Sequence, residues 1–200
     1  MITIKTAEEL QTMRKCSQIA AEVREEVRKM VRPGLTTLKL DQVAEDLIRR
    51  RGAKPAFKGY RGFPRTICTS INHQVVHGIP GEILLKEGDV VGVDLGVIWQ
   101  GYYGDTAVTC PVGAISEEAQ RLLKTTEESL YRGIDAARPG GRLHDIGAAV
   151  QACVESAGFT IVRDFVGHGI GLALHEDPQV PNYGTKGTGV LLKAGMVLAI

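Results

Sequence analysis

Residues 89–110 read Asp-Val-Val-Gly-Val-Asp-Leu-Gly-Val-Ile-Trp-Gln-Gly-Tyr-Tyr-Gly-Asp-Thr-Ala-Val-Thr-Cys, two extended apolar runs joined by a short turn around Trp99, Gln100 and Gly101. Runs of this kind on either side of a Gly-containing turn predict a β-hairpin. With the turn centred between Trp99 and Gln100, Asp94 falls directly opposite Asp105, where facing side chains have Cβ atoms about 4.5–5.5 Å apart. Two carboxylates that close, inside strands otherwise made of Val, Leu, Ile and Tyr, repel each other and lose solvation. A divalent cation offsets both costs, and hard oxygen ligands from neighbouring strands suit Mn, Fe, Co or Zn. The spacing also admits another register, in which one Asp faces water.

The rest of the chain sets the frame for this hairpin. Two hundred residues, 44% of them apolar, with a net charge of +1, describe one soluble globular domain or two closely packed halves. No apolar run is long enough to span a bilayer, and the start Met-Ile-Thr-Ile-Lys-Thr lacks the layout of a signal peptide. The expected location is the cytoplasm. Cys16, Cys68, Cys110 and Cys153 have no Cys-x-x-Cys spacing, so they read as unpaired thiols rather than a disulfide framework or zinc ribbon. Without a basic cluster there is no electrostatic footprint for nucleic acid.

Helix signals come first in the chain. Thr6-Ala-Glu-Glu9 has capping-box spacing, and apolar positions recur at Leu10, Met13, Ile19, Ala20, Val23, Val27 and Met30 until Arg32-Pro33-Gly34 breaks the pattern. A second helix is predicted from about Thr37 to Arg51, closed by Gly52. From Ala53 short extended runs and Gly/Pro turns lead to the hairpin. A third helix is predicted to start at Ser116, with Glu117 and Glu118 in its first turn. The remainder of the chain repeats the first half. Arg138-Pro139-Gly140 repeats Arg32-Pro33-Gly34, and Gly158 repeats Gly52, both at an offset of 106 residues. Val190-Leu-Leu-Lys-Ala-Gly-Met-Val197 repeats Ile83-Leu-Leu-Lys-Glu-Gly-Asp-Val90 at an offset of 107. Ordered matches of this kind imply two copies of a helix, helix, sheet unit, in halves of about residues 6–110 and 116–200, related by an approximate two-fold axis. By the same offset Asp94 maps to position 201, so the second half stops in an apolar strand, Gly195 to Ile200. An open strand edge of that kind leads to the expectation of a truncated chain, a partial gene product or half of an assembly completed by another chain, prone to edge-strand dimers.

Further chemistry is concentrated in Gly167-His168-Gly169-Ile170-Gly171-Leu-Ala-Leu-His175-Glu176-Asp177-Pro178. The flanking glycines are expected to let the backbone turn tightly and leave His168 accessible as a ligand. His175 could reach the same cavity, and His77 sits in Val75-Val76-His77-Gly78-Ile79-Pro80. Each of the three also reads as an ordinary hydrogen-bonded turn residue. Two acids on a hairpin plus a His from the other half make a usual ligand mixture for a dinuclear hydrolytic site.

These motifs, together with Gly-Tyr-Arg-Gly-Phe-Pro at 59–64, Ser-Ile-Asn at 70–72, Val-Asp-Leu-Gly at 93–96, Gly-Asp-Thr at 104–106 and His-Glu-Asp-Pro-Gln-Val at 175–180, resemble the type I methionine aminopeptidases over nearly the whole chain. The resemblance implies an α+β "pita-bread" fold, of the creatinase/aminopeptidase kind, whose internal pseudo-two-fold is the repeat above, with the last strands of the second half missing. It implies a metallo-exopeptidase that removes the initiator methionine from new chains whose second residue is small, the substrate's terminal amine binding one of two divalent ions drawn from Co, Mn, Fe, Zn or Ni. Asp94 is then a ligand of one ion, Asp105 the bridging carboxylate and His168 a ligand of the other. His77 hydrogen-bonds the substrate and His175 helps stabilise the tetrahedral intermediate. Phe57, Tyr60, Phe63 and Cys68 match a pocket for the methionine side chain, whose thioether packs well on aromatic edges and sulfur. Backbone carbonyls near Asn72 match a monovalent-cation site. Nascent polypeptide N-termini are the implied partners, with possible docking to the ribosome and a monomeric state in the family.

Family members carry two more glutamate ligands beyond Ile200, the first at position 201 and one of them with a proton-transfer role. Asp94, Asp105 and His168 alone compensate two divalent ions poorly. The resulting expectation is that this chain holds at most one ion weakly and turns over slowly or not at all. The alternatives are a proline-specific peptidase relative and a non-catalytic pita-bread binding module.

Overall fold

The computed structural model describes all 200 residues. The chain divides into one unit of Gln11–Glu117 and another of Met1–Leu10 with Glu118–Ile200.

The first unit is built on a ten-residue strand with two unlike faces. Helix α1 (Ala7–Met30) and helix α2 (Thr37–Arg50) precede strands β1 (Lys54–Pro55), β2 (Ile67–Ile71), β3 (Val90–Trp99) and β4 (Tyr102–Pro111). All pairings are antiparallel; β3 is flanked by β4 along its whole length on one edge, and by β1 and then β2 on the other. Successive side chains on a strand point to opposite faces. Val91, Val93, Leu95 and Val97 are fully buried on one face of β3, in a core with Ile19, Ala20, Val23 and Val27 of α1 and Leu40, Ala44 and Ile48 of α2. Gly92, Asp94 and Gly96 occupy the other face. The β4 backbone comes close to α1 at Gly104, where an added Cβ would lie 3.1 Å from the Cys16 carbonyl. The predicted caps form: the Thr6 amide donates to the Glu9 carboxylate at 2.7 Å and the Glu9 amide to the Thr6 hydroxyl at 3.2 Å. The Thr36 hydroxyl accepts the Lys39 amide at the start of α2.

The hairpin register differs from the one read from the sequence. Val90 pairs with Pro111 and Trp99 with Tyr102, so Asp94 faces Ala107 and Asp105 faces Gly96. The two-residue turn is Gln100-Gly101, with φ of 49° and 82°. A type I′ turn needs positive φ at both central positions, and its hand matches the strand twist. Gly101 is therefore the second central residue, which moves the turn centre one position along the chain.

In the second unit, helices α3 (Glu117–Ala136) and α4 (Leu143–Ser156) precede a three-stranded antiparallel sheet in the order β6 (Glu176–Val180), β5 (Gly167–Gly169), β7 (Leu198–Ala199). Its core gathers Leu143, Ile146, Val180 and Leu192, with Met196, Leu198 and Ile200 packed against them. The repeat seen in the sequence recurs as hydrogen bonds. The Gly34 amide donates to Leu85 at 2.8 Å and the Gly140 amide to Leu192 at 2.9 Å; Thr37 donates to Ile83 at 3.0 Å and Leu143 to Val190 at 2.9 Å. Isolated bridges Thr36–Leu84 and Arg142–Leu191 complete the correspondence. No helix is long and apolar enough to cross a membrane.

Two outcomes test these assignments. Because the left-handed conformation costs an ordinary residue about 1–2 kcal/mol, Gln100→Asn should raise the unfolding free energy in urea by up to about 1 kcal/mol. Gly101→Val should lower it by about 1–2 kcal/mol; a neutral Gly101→Val would contradict the register. Separately, Glu45 accepts from Lys58, Arg49 and Thr66, which hold its carboxyl down at about 2. A depressed carboxylate contributes stability above its unfolded pKa that is lost as pH falls through the folded value. The stability gap between the parent and Glu45→Gln should be full above about pH 4.5 and close progressively toward about pH 2.

Candidate metal centre

Asp94 and Asp105 lie on the non-core face of the hairpin as diagonal rather than direct neighbours, since Asp105 is two residues from Ala107, the partner of Asp94. Diagonal pairs on one face have Cα atoms about 7–8 Å apart. The two carboxylates therefore share one face without being directly opposed. The alternative with one Asp turned to the opposite face is excluded by the parity of the ladder.

The same face carries other predicted residues. Cys68 of β2 pairs directly with Asp94. Its thiol is pushed up to about 12, first by burial and then by the negative charges of Asp94, Asp105 and Asp41. Phe57 is buried, and its ring lies over Gly96, where an added Cβ would come within 2.6 Å of Cε1. Any side chain at Gly96 would displace the aromatic wall beside Asp105. Phe57, Tyr60 and Phe63 are held in one tight turn: the Tyr60 amide donates to Phe57 at 2.9 Å, and the Phe63 amide to Tyr60 at 2.9 Å.

Two carboxylates outside the candidates read from the sequence brace this wall. Asp41, 4% exposed, accepts the amides of Thr66 at 2.7 Å and Ile67 at 3.0 Å, pinning the start of β2 to α2. Glu45 holds Lys58 at 2.7 Å and Thr66 at 3.1 Å. Asp41 and Glu45 lie one helical turn apart on α2, a spacing visible in the sequence, but nothing there named their acceptor role.

His77 is exposed with φ 59°. Its neighbour Gly78 rests on β2, its carbonyl accepting the Thr69 amide at 2.8 Å, and it has no room for a side chain, because a Cβ would lie 2.1 Å from the Thr69 carbonyl oxygen. A β-branched or bulky residue would rarely tolerate the His77 backbone, and such strain concentrates at functional sites. Asn72 spends its side chain on local partners: Oδ1 accepts the Val90 amide at 3.0 Å, and Nδ2 donates to Asp89 at 2.9 Å. Any cation there would fall to main-chain carbonyls.

In the second unit, His168 sits in strand β5, not in a tight turn. None of Gly167, Gly169 and Gly171 has positive φ. They are required by close approach instead: a Cβ at Gly169 would lie 2.1 Å from the Asp177 carbonyl oxygen. His168 Nδ1 lies 2.9 Å from the Gly169 carbonyl oxygen. A carbonyl only accepts, so Nδ1 carries a proton; in the neutral ring Nε2 then holds the lone pair that a metal ligand needs. The His168 and His175 rings lie with centroids 4.3 Å apart at 51°. β5 and β6 pair with a bulge between His168–Gln179 and Gly169–Glu176, a device that re-aims side chains.

The structure contains no group of three or more His, Cys, Asp or Glu side chains placed to hold a metal ion. Carboxylate oxygens and imidazole nitrogens are each ligand types that first-row divalent ions accept.

Metallopeptidase family M24 matches residues 11–200. The chain is 52% identical to methionine aminopeptidase 1 of Bacillus subtilis over 200 residues, covering 100% of this chain and 81% of that protein. The crystal structure of methionine aminopeptidase from Rickettsia prowazekii superposes with a TM-score of 0.97 at 42% identity, over 99% of this chain and 80% of that one. A prolidase from Pyrococcus furiosus shares the fold at a TM-score of 0.84 and 27% identity, over 98% of this chain and 56% of that one. The pita-bread fold expected from the motifs is the fold observed, and the chain belongs to metallopeptidase family M24, among its methionine aminopeptidases.

Proposed function

We propose that the chain is a metal-dependent aminopeptidase that releases the N-terminal methionine of new polypeptides whose second residue is small. The observation that carries the reading is the face shared by Asp94, Asp105, Cys68 and Phe57: an anionic pair beside an aromatic and thiol wall. The curated relatives, methionine aminopeptidases at 42–52% identity, lend no support to an inert chain, a binding module or a proline-specific enzyme.

Asp94, Asp105 and His168 would hold the divalent ion or ions, and main-chain carbonyls near Asn72 a monovalent one. A divalent ion bound there supplies Lewis-acid polarisation of the first peptide carbonyl and lowers the pKa of water from about 15.7 toward roughly 7. The chain's own contribution is position. Phe57, Tyr60, Phe63 and Cys68 receive the methionine side chain, whose thioether suits aromatic edges and buried sulfur. His77 hydrogen-bonds the substrate backbone, and His175 donates to the carbonyl oxygen as negative charge develops on it. The substrates are N-termini of nascent chains, which places the protein in the cytoplasm near the ribosome. Self-association along the short edge strand β7 is a second contact compatible with this reading.

Release of Met from a Met-Ala-Ser peptide, followed with metal content by mass spectrometry, tests the proposal. Chelation should abolish release, and added Mn or Co should restore it; turnover that survives complete metal removal would overturn it. Asp105→Asn should lower kcat/KM by about 10²-fold or more, with a thermal midpoint close to the parent's because Asp105 faces away from the core. An Asp105→Asn variant as active as the parent would remove Asp105 from the site.

A further inference from the structure

Lys5 and Glu176 form a buried ion pair that the proposed reaction does not use. Their side chains are 3% and 15% exposed, with Nζ and Oε2 2.5 Å apart. The other carboxylate oxygen accepts the Ala173 amide at 3.2 Å, and the Lys5 amide donates to the Gly195 carbonyl at 2.8 Å. The loop before His175 closes tightly over the pair: a Cβ at Gly171 would lie 2.5 Å from Glu176 Oε1 and 2.6 Å from Lys5 Cε.

Placement gives the pair its meaning. Glu176 directly follows His175, and its ladder partner Gly169 directly follows His168. The residues whose pairing ends the bulge are therefore the immediate neighbours of the two imidazoles in contact. Glu176 is the first residue of β6, so an anchor on Glu176 fixes the backbone immediately next to His175. As a stabiliser the pair is a poor choice, because desolvating two charges often cancels their attraction, and apolar replacements of similar volume are commonly neutral. What an ion pair with defined hydrogen bonds provides here is geometry.

We propose that Lys5 is a positioning residue that acts through Glu176 to set the register of the β5–β6 bulge, and so the orientation of His175 against His168. The inference rests on the reading of His175 as a group that touches the substrate. A misplacement of about 1 Å can cost on the order of 10²-fold in rate.

The test compares Lys5→Met, Lys5→Arg and Glu176→Gln in the full chain, using thermal unfolding, histidine ring signals by ¹⁵N NMR, and kcat and KM for Met release. Lys5→Met leaves the Glu176 carboxylate without its partner and should unfold below the parent's midpoint, shift or split the His168 and His175 ring signals, and lower kcat roughly 10- to 100-fold with little change in KM. Lys5→Arg, which keeps the charge, should recover part of both effects. A folded Lys5→Met with parental ring signals and kcat would overturn the proposal. If Lys5→Met does not fold, Glu176→Gln decides in the same way, since it keeps the acceptor for Ala173. A parent that releases no Met, combined with ring signals that move in Lys5→Met, would sink the proposed function and leave the positioning role standing.

Discussion

Two like charges held on one face of an apolar hairpin are the constraint on which the rest of the account depends. Asp94 and Asp105 cannot turn away from each other, because ladder parity puts both on the face opposite the core. The Cys68 thiol beside them has its pKa raised first by burial and then by the charges of Asp94 and Asp105. Repulsion of this kind persists in a native fold where something is gained by it, and a cation turns the cost into affinity.

The fold supports this arrangement by dividing labour between the faces of one strand. Val91, Val93, Leu95 and Val97 give β3 a buried side against α1 and α2, which makes its position rigid. Gly92, Asp94 and Gly96 leave the other side to chemistry, with Gly96 giving up its side chain to the ring of Phe57. Asp41 ties β2 and therefore Cys68 to α2 through two backbone amides. Rigid elements supporting a few placed polar groups are what a preorganised site requires.

Much of this is legible in the sequence, and the failures have physical reasons. Helices are readable because apolar period, caps and Pro-Gly stops agree at each end, as at Thr6 and Arg32-Pro33-Gly34. The repeat is readable because equivalent residues make equivalent hydrogen bonds, so Gly34 and Gly140 serve the same need. The hairpin register read from the sequence is wrong by one step in the turn, since Gly101 can be either a flanking or a central residue until the φ of Gln100 is known. The glycines around His168 are correctly singled out but for the wrong reason: they admit neighbouring backbone rather than a left-handed turn. Lys5 and Glu176 are invisible, being 171 residues apart with no local pattern to join them.

The most direct measurement is the crystal structure of the chain grown with Mn, with the ion located by its anomalous scattering. The account predicts a peak within coordinating distance of the carboxylate oxygens of Asp94 and Asp105. Ordered manganese bound elsewhere, with both aspartates coordinating nothing, would contradict it.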